Sequence, residues 1–592
     1  MSNEHRYRHS VTAAERRERP NEPASGILAD DMGLGKTLST IALVATSRKR
    51  AEAFAAKGVI EQMNHGTLAP TRSTLVVVPS LLILDEWKKE IEKHTMPGAL
   101  RIAKYHGHDR VATARELLSY DIVLTTYGTV ATEHRRSYRG GREVLYYLRW
   151  FRVVLDEAHT IRSSRTAQCK AILALYASHH WCLTGTPVSN KVDDLAPLLR
   201  FCRVPLLQEP AIFRDHVAKI TRKSFRQGCN VLRQALSPVC LRRTKALLNL
   251  PQPRAVDHSI NFSPAELERH AALFRHSRRC LDASVSGLHN AKSKHTILQA
   301  ILQLRIFCNQ GTFMPEIQDM SDEALLDPDE ALTLLQEDGQ ATCASCSVEV
   351  FIINQERDLS SGILGACSHI LCAVCLKAAM NDADQSEVYQ CPKCEQAFAE
   401  KVLSDERTLR GMSNSRQPHS AKLARLIEDL LASQGKEKSI VFSVWRKTLD
   451  IAAQLCNNAN IRHVRIDGAV PQALRQQALE DFTTKPEVST LLMTLGTGAL
   501  GLNLTAATRV HILEPQWNPA VEQQAIGRVV RMGQERNATI IRYTVKNSVE
   551  QQIQTYQRRK KQLVAGGFGD SANHAEYEAK ILTATFFREG AI

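Results

Sequence analysis

Asp31-Met32-Gly33-Leu34-Gly35-Lys36-Thr37 constrains the fold of this chain more than any other stretch. A glycine-bearing turn closed by Gly-Lys-Thr asks for a buried strand before it and a helix after it. In that setting backbone N–H groups point at phosphate oxygens, a Lys ammonium meets the β/γ-phosphates and a Thr hydroxyl reaches Mg²⁺. Gly33 and Gly35 let the backbone come that close. The residues read as nucleotide-contacting are Asp30, Asp31, Met32, Gly33, Leu34, Gly35, Lys36 and Thr37, with Asp30 standing where the generic pattern has Gly. Gly-Lys-Thr also opens ordinary helices, so the reading depends on what the rest of the chain supplies.

At 592 residues the chain has room for about three to five domains of ~150 residues, and 43% hydrophobic residues are ample for packed cores. A net charge of +14 favours a polyanionic partner. No apolar run approaches membrane-spanning length and the segment Met1 to Arg19 is polar and basic, so neither membrane insertion nor secretion is indicated. After the loop, strand-like runs alternate with helical patterns: Leu75–Pro79, Asp121–Thr126, Phe151–Asp156 and Trp181–Thr184. Such alternation argues for a parallel sheet covered by helices. The third run ends in Asp156-Glu157-Ala158-His159, at the strand end where open α/β sheets bind ligands. If this pair meets the loop, Asp156 holds Mg²⁺ and Glu157 orients the attacking water. Two solvated acids at a strand end are the plain alternative.

From Gln208 to about Gln340 helical patterns dominate, and this part reads as a helical appendage on the first lobe. Seven of the fifteen cysteines then crowd around His369, in the order Cys343, Cys346, Cys367, His369, Cys372, Cys375, Cys391 and Cys394. Thiolates in Cys-x₂-Cys pairs with one imidazole suit tetrahedral Zn²⁺, and eight ligands make two closed sites. A polar connector, Leu403 to Ser420, leads to a second alternating block with strands at Ser439–Ser443, His463–Asp467, Thr490–Thr494, Arg509–Leu513 and Thr539–Tyr543. This block has no Gly-Lys-Thr of its own. It carries Arg528 and Arg531, three apart on one expected helical face, either as a solvated stripe or as arginine fingers.

In this order the motifs resemble the Swi/Snf-related branch of superfamily-two helicase-like ATPases, over residues 23 to 565. The resemblance rests on Ile27 to Thr37, Asp156 to His159, Leu183 to Pro187, Leu241 to Lys245, Gly501 to Thr505, Trp517 to Arg528 and Arg531 to Gln534. The cysteine module between the two blocks is similar to the RING finger of a sub-branch that includes the helicase-like transcription factor and fungal DNA-repair ATPases. The resemblance implies an α/β fold: two RecA-like parallel-sheet lobes with helical insertions and a zinc RING module between them. It divides the chain into a disordered or truncated N-terminus (1–22), lobe 1 (23–207), helical appendage (208–340), RING (341–396), linker (397–420), lobe 2 (421–570) and tail (571–592).

The implied activity is ATP-driven translocation along double-stranded DNA without strand separation, in a nuclear repair or chromatin setting. Lys36, Thr37 and Asp156 would hold Mg-ATP, Glu157 would activate water, and Arg528 and Arg531 would act from lobe 2. One Zn²⁺ would sit on Cys343, Cys346, Cys372 and Cys375, the other on Cys367, His369, Cys391 and Cys394. The stretch before the loop departs from the family's adenine-reading element, and Gly496-Thr497-Gly498-Ala499 replaces a DNA-backbone element of many relatives. Ser345 and Glu395 depart from the usual residues of ligase-active RINGs. Two other readings stay open: a ubiquitin ligase, recruiting a conjugating enzyme and positioned on DNA by a weak ATPase, and a non-catalytic chromatin scaffold.

Overall fold

The computed structural model describes residues 7–568 apart from 19–23, 57–60, 64–65, 108–112, 138–143, 186–191, 224, 245–246, 248–250, 287–289, 315–331, 333–334, 336–340, 346–349, 351, 354–360, 366, 368, 374, 377–389, 397–417, 468–469, 471, 499–503, 518 and 532. Residues 7–18 of the N-terminal segment expected to be disordered or truncated are described and hold a short antiparallel pair, Tyr7–Arg8 with Glu15–Arg16, while most of the linker and the 571–592 tail lie outside the described residues. The chain divides into two compact units, one holding Met1–Asn249 and the other most of Leu250–Arg558.

The first unit is built on β1 (Gly26–Leu28), β2 (Glu61–Met63), β3 (Gly66–Val78), β4 (Ile102–Lys104), β5 (Ile122–Thr126), β6 (Leu148–Asp156), β7 (Tyr176–Leu183) and β8 (Cys240–Leu241). They form a sheet in the order β8-β1-β7-β6-β3-β5-β4, parallel throughout, with β2 antiparallel on β3. Parallel strands need crossovers that cover both faces, so their sequences are apolar on both. Leu75, Val77, Val153 and Leu155 enter one core, and Val76, Val78 and Val154 enter the other. Helices α1 (Lys36–Thr46), α2 (Arg48–Ala56) and α3 (Leu81–His94) follow β1 and β3. On the second face α1 contributes Ile41 and Val44, and α3 contributes Leu84, Trp87 and Ile91.

The second unit holds β9 (Arg254–Ile260), β10 (Ser439–Ser443), β11 (His463–Ile466), β12 (Thr490–Thr494), β13 (Arg509–Ile512) and β14 (Thr539–Val545). Their order is β9-β14-β13-β10-β12-β11, again all parallel. Ile440 and Phe442 enter one core and Val441 the other. All five strands expected in this block form.

The reading of 208–340 as strand-free and attached to the first lobe is corrected. β8 closes the first sheet beside β1, and β9 pairs with β14 over seven residues of the second. β9 occupies an edge and is mostly exposed, so Arg-Ala-Val-Asp-His-Ser-Ile lacks the two-sided apolarity that marks a central parallel strand. The chain therefore enters the second unit before α4 (Pro264–Ser286) and α5 (Asn290–Gln310) begin. Leu273, Ile301, Leu302 and Phe307 of these helices pack with Trp445, Val549 and Ile553. The cysteine-rich segment leaves and returns at one place. Thr312 N–H donates to the His419 carbonyl at 2.8 Å, His419 N–H to Thr312 Oγ1 at 2.7 Å, and Ser420 Oγ to the Asn309 carbonyl at 2.6 Å.

Candidate functional site

The loop after β1 bends through two left-handed glycines, Gly33 at φ 87° and Gly35 at φ 76°, and Gly35 directly precedes α1. A side chain at either position would be strained. Lys36 Nζ donates to the carbonyl oxygens of Asp30 and Asp31, at 2.7 and 3.2 Å. Burial pushes its pKa down against the pull of Glu157, Asp156, Asp30 and Asp31. An ammonium held on carbonyls, with carboxylates near but not bonded, is poised to take an anionic ligand.

Asp30 does something the sequence does not announce. Fully buried, its carboxylate accepts from Arg243 N–H at 2.8 Å and Nε at 3.0 Å, and from Arg243 Nη2. Asp31 N–H in turn donates to the Arg243 carbonyl at 3.0 Å. The Leu241-Arg242-Arg243-Thr244 stretch therefore clasps the loop, and Asp30 directs both carboxylate oxygens to Arg243 while its backbone carbonyl serves Lys36. Lys245 of that motif lies outside the described residues.

Strand register brings the acidic pair to the same sheet edge. Leu28 of β1 lies opposite Leu183 of β7, and Leu183 opposite Asp156 of β6. Asp156 thus stands two strand spacings, about 10 Å, from the root of the loop. Its Oδ2 accepts from Trp87 Nε1 at 2.7 Å, its Oδ1 from Glu157 N–H at 3.0 Å, and its backbone carbonyl from Tyr127 Oη at 2.9 Å. Burial first, and the Glu157 charge second, push the Asp156 carboxyl up to about 6. A bound cation would reverse that shift.

Glu157 takes a left-handed backbone, φ 45°, which a non-glycine residue adopts at a cost of order 1 kcal/mol. Its carboxylate lies 3.4 Å from His159 Nδ1. Thr184 N–H donates to the Leu28 carbonyl at 3.1 Å, and Gly185 packs so close to Met32 that an added Cβ would stand 3.3 Å from that side chain. Thr186 and Pro187 lie outside the described residues. Trp87 and Tyr127 are site residues that motif reading did not single out, and Arg243 lies in the Leu241 to Lys245 motif, which by itself assigned it no role.

In the second unit α6 (Ala421–Ser433), α7 (Pro519–Val529) and α8 (Val549–Phe568) pack on the sheet. Arg528 sits in the last turn of α7, but the helix stops at Val529. The expected common helical face for Arg528 and Arg531 is corrected: Arg531 follows in a turn where Gln534 N–H donates to its carbonyl at 3.0 Å and Gly533 takes φ 95°. Gln534 Nε2 ties that turn to the carbonyls of Thr505, Ala507 and Val529, at 3.1, 3.0 and 3.4 Å. Leu504 N–H donates to the Arg528 carbonyl at 3.1 Å. Gly501, Leu502, Asn503, Asn518 and Met532 of the same motifs lie outside the described residues.

Beside these motifs lies a buried polar cluster. Lys422 Nζ donates to Asn309 Oδ1 at 2.7 Å, to the Leu513 carbonyl at 2.9 Å and to Glu550 Oε1. Glu514 accepts from Asn309 Nδ2 at 2.9 Å, Ser443 Oγ at 3.1 Å and Val444 N–H.

The cysteines gather in two sets. Donor atoms of Cys367, His369, Cys391 and Cys394 lie within 4.8 Å of one another, as do those of Cys343, Cys372 and Cys375. Cys346 lies outside the described residues. Ligand order in the sequence interleaves between the sets, with three short strands (352–353, 361–364, 370–372) between the ligand pairs. A tetrahedral ion with Zn–S bonds near 2.3 Å sets sulfurs about 3.8 Å apart, so both sets fit zinc in donor type and spacing.

The chain matches a model of the SNF2-related domain over residues 9–313 and one of the helicase conserved C-terminal domain over 421–533. The cysteine-rich segment falls between the two matches. The whole chain is 31% identical over 607 residues to the DNA repair protein RAD5A of Arabidopsis thaliana, covering 92% of this chain and 58% of that one. It is 30% identical over 615 residues to the DNA repair protein RAD5 of Gibberella zeae, covering 90% and 53%. The chain thus spans about half the length of these curated relatives. Among solved structures it is similar to the Sulfolobus solfataricus SWI2/SNF2 ATPase core in complex with dsDNA, at 23% identity and a TM-score of 0.34, over 92% of this chain and 89% of that one.

Proposed function

This chain belongs to the SNF2-related family, and from that premise we propose that it is a DNA-dependent ATPase, a translocase or remodeller acting on double-stranded DNA in repair or on chromatin. The observation that carries the reading is the row Leu28–Leu183–Asp156, which sets the acidic pair at the loop edge where Lys36, among the described residues, donates to two backbone carbonyls. Lys36 exchanges those carbonyls for phosphate oxygens, and the backbone N–H groups of Gly33 to Thr37 cradle the same phosphates. Asp156 and Thr37 would hold Mg²⁺, which supplies charge neutralisation on the phosphates when bound. Glu157 orients the attacking water through its carboxylate. Arg528 and Arg531 are assigned the stabilisation of charge on the transferring phosphoryl group. Phosphate-backbone contacts make DNA binding sequence-independent and salt-sensitive. Action on chromosomal DNA goes with a nuclear location.

The two cysteine sets, one of which includes His369, are assigned two structural Zn²⁺ ions, and their interleaving supports the further reading of a RING that recruits a ubiquitin-conjugating enzyme. Autoubiquitination with a panel of conjugating enzymes tests that reading. The ATPase is tested by measuring hydrolysis with and without duplex DNA: stimulation by duplex is expected, equal rates under both conditions would contradict DNA dependence, and no hydrolysis under either would argue for a scaffold.

A further inference from the structure

Asp30 and Asp156 belong to the same edge of the first sheet but are held by different kinds of donor. Asp30 is paired with the Arg243 guanidinium, which offsets its charge. Asp156 receives neutral donors, the Trp87 indole N–H on Oδ2 at 2.7 Å and the Glu157 N–H on Oδ1 at 3.0 Å. A neutral donor fixes the direction of a carboxylate without cancelling its charge, whereas a guanidinium does both. Each Asp156 oxygen accepts one such bond and keeps lone-pair capacity for a further partner.

The indole is rigidly placed for this task. Trp87 is 2% exposed and packs with Val76, Leu84, Ile91 and Val154 on the second face of the sheet. Alternation along β6 sends Leu155 to the first face and the side chains of Val154 and Asp156 to the second, where Trp87 waits. From the first face Tyr127, fully buried, donates through Oη to the Asp156 carbonyl at 2.9 Å. The backbone of Asp156 is thus pinned from one side and its carboxylate from the other. A buried indole N–H needs an acceptor, and any backbone carbonyl would serve that need. Here the acceptor is the carboxylate at the nucleotide edge. We propose that Trp87 is a positioning residue for the divalent cation of the nucleotide site: its N–H aims the Asp156 carboxylate and leaves the carboxylate's charge available to the cation. The inference rests on the assignment of Mg²⁺ to Asp156.

The test is the affinity of the full chain for a fluorescent, non-hydrolysable ATP analogue, measured in excess Mg²⁺ and in EDTA. The ratio of the two reads the cation's contribution without turnover. Wild type is expected to bind more tightly with Mg²⁺, and Asp156→Asn to lose that gain. Trp87→Phe keeps an aromatic ring in the core but has no donor. It is expected to cut the gain about tenfold, the usual contribution of one hydrogen bond to a charged acceptor, with the affinity in EDTA within about twofold of wild type. If Trp87→Phe does not fold, benzothienylalanine at position 87, which keeps the indole shape with sulfur in place of the N–H, takes its place. A gain equal to wild type in the donor-free variant, or a fall in both affinities together as lost packing would give, would overturn the proposal. Persistence of the gain in Asp156→Asn would instead sink the assignment of the cation to Asp156, and the proposal with it.

Discussion

In the second unit, buried charges at the carboxyl end of the sheet answer one another. Lys422 fills its three donor positions with Asn309, Leu513 and Glu550, and Glu514 takes Asn309, Ser443 and Val444. At the corresponding end of the first sheet the groups are held apart: Lys36 rests on two carbonyls and Asp156 accepts from an indole and a backbone N–H. Both edges are formed by parallel strands covered by helices, so architecture alone does not separate them. What separates them is electrostatic completeness. A self-satisfied cluster keeps α5, α6 and α8 in register with β10 and β13 and needs no ligand. An incomplete one is finished by something the chain binds.

The contrast breaks first at Arg531, which no described carboxylate pairs. Arg531→Ala is expected to cut DNA-stimulated turnover by ~10³ to 10⁵ while leaving stability and nucleotide binding nearly unchanged, and Arg531→Lys should recover little because Lys lacks the planar fork. Steady-state hydrolysis beside a nucleotide-probe titration reads both. Lys422→Met should behave in the opposite way. It strands Glu550 in the core and is expected to cost the second unit about 3–5 kcal/mol in urea unfolding, with partial recovery on adding Glu550→Gln.

Cys372→Ser removes a ligand from one sulfur set, so elemental analysis should fall from two zinc ions per chain to about one and the module should unfold locally. The Thr312–His419 bonds close the base of that segment, so ATP hydrolysis should survive. Loss of hydrolysis along with the zinc would mean that the module is integral to the second unit. Arg243→Ala is expected to cost the first unit about 2 kcal/mol, since Asp30 loses charged donors while buried. Arg243→Lys should restore only part of it.

The loop, the acidic pair and nine of the parallel strands are legible in the sequence because each has a local signature: a glycine pair, Gly33 and Gly35, leading into Lys36-Thr37, or an apolar run packed on both faces. β4, β8 and β9 are not, because these edge strands escape the two-sided burial that writes such a run. The Asp30–Arg243 clasp is invisible for another reason: its partners are 213 residues apart and meet only through the pairing of β8 with β1. The helical face expected for Arg528 and Arg531 fails at Val529, where the chain turns out of the helix toward Gly533. Lys422 and Glu550 read as ordinary surface residues of amphipathic helices until the fold buries them together.

Glu157→Gln tests the central claim most directly, because it removes one carboxylate charge from the incomplete edge and leaves Lys36 and Asp156 in place. Duplex-stimulated ATP hydrolysis and nucleotide affinity should be measured on the same preparation. The expected result is affinity within a few-fold of wild type and turnover reduced by orders of magnitude, as loss of the water-orienting group requires. Hydrolysis by Glu157→Gln near the wild-type rate would contradict the assignment of this edge as the catalytic site.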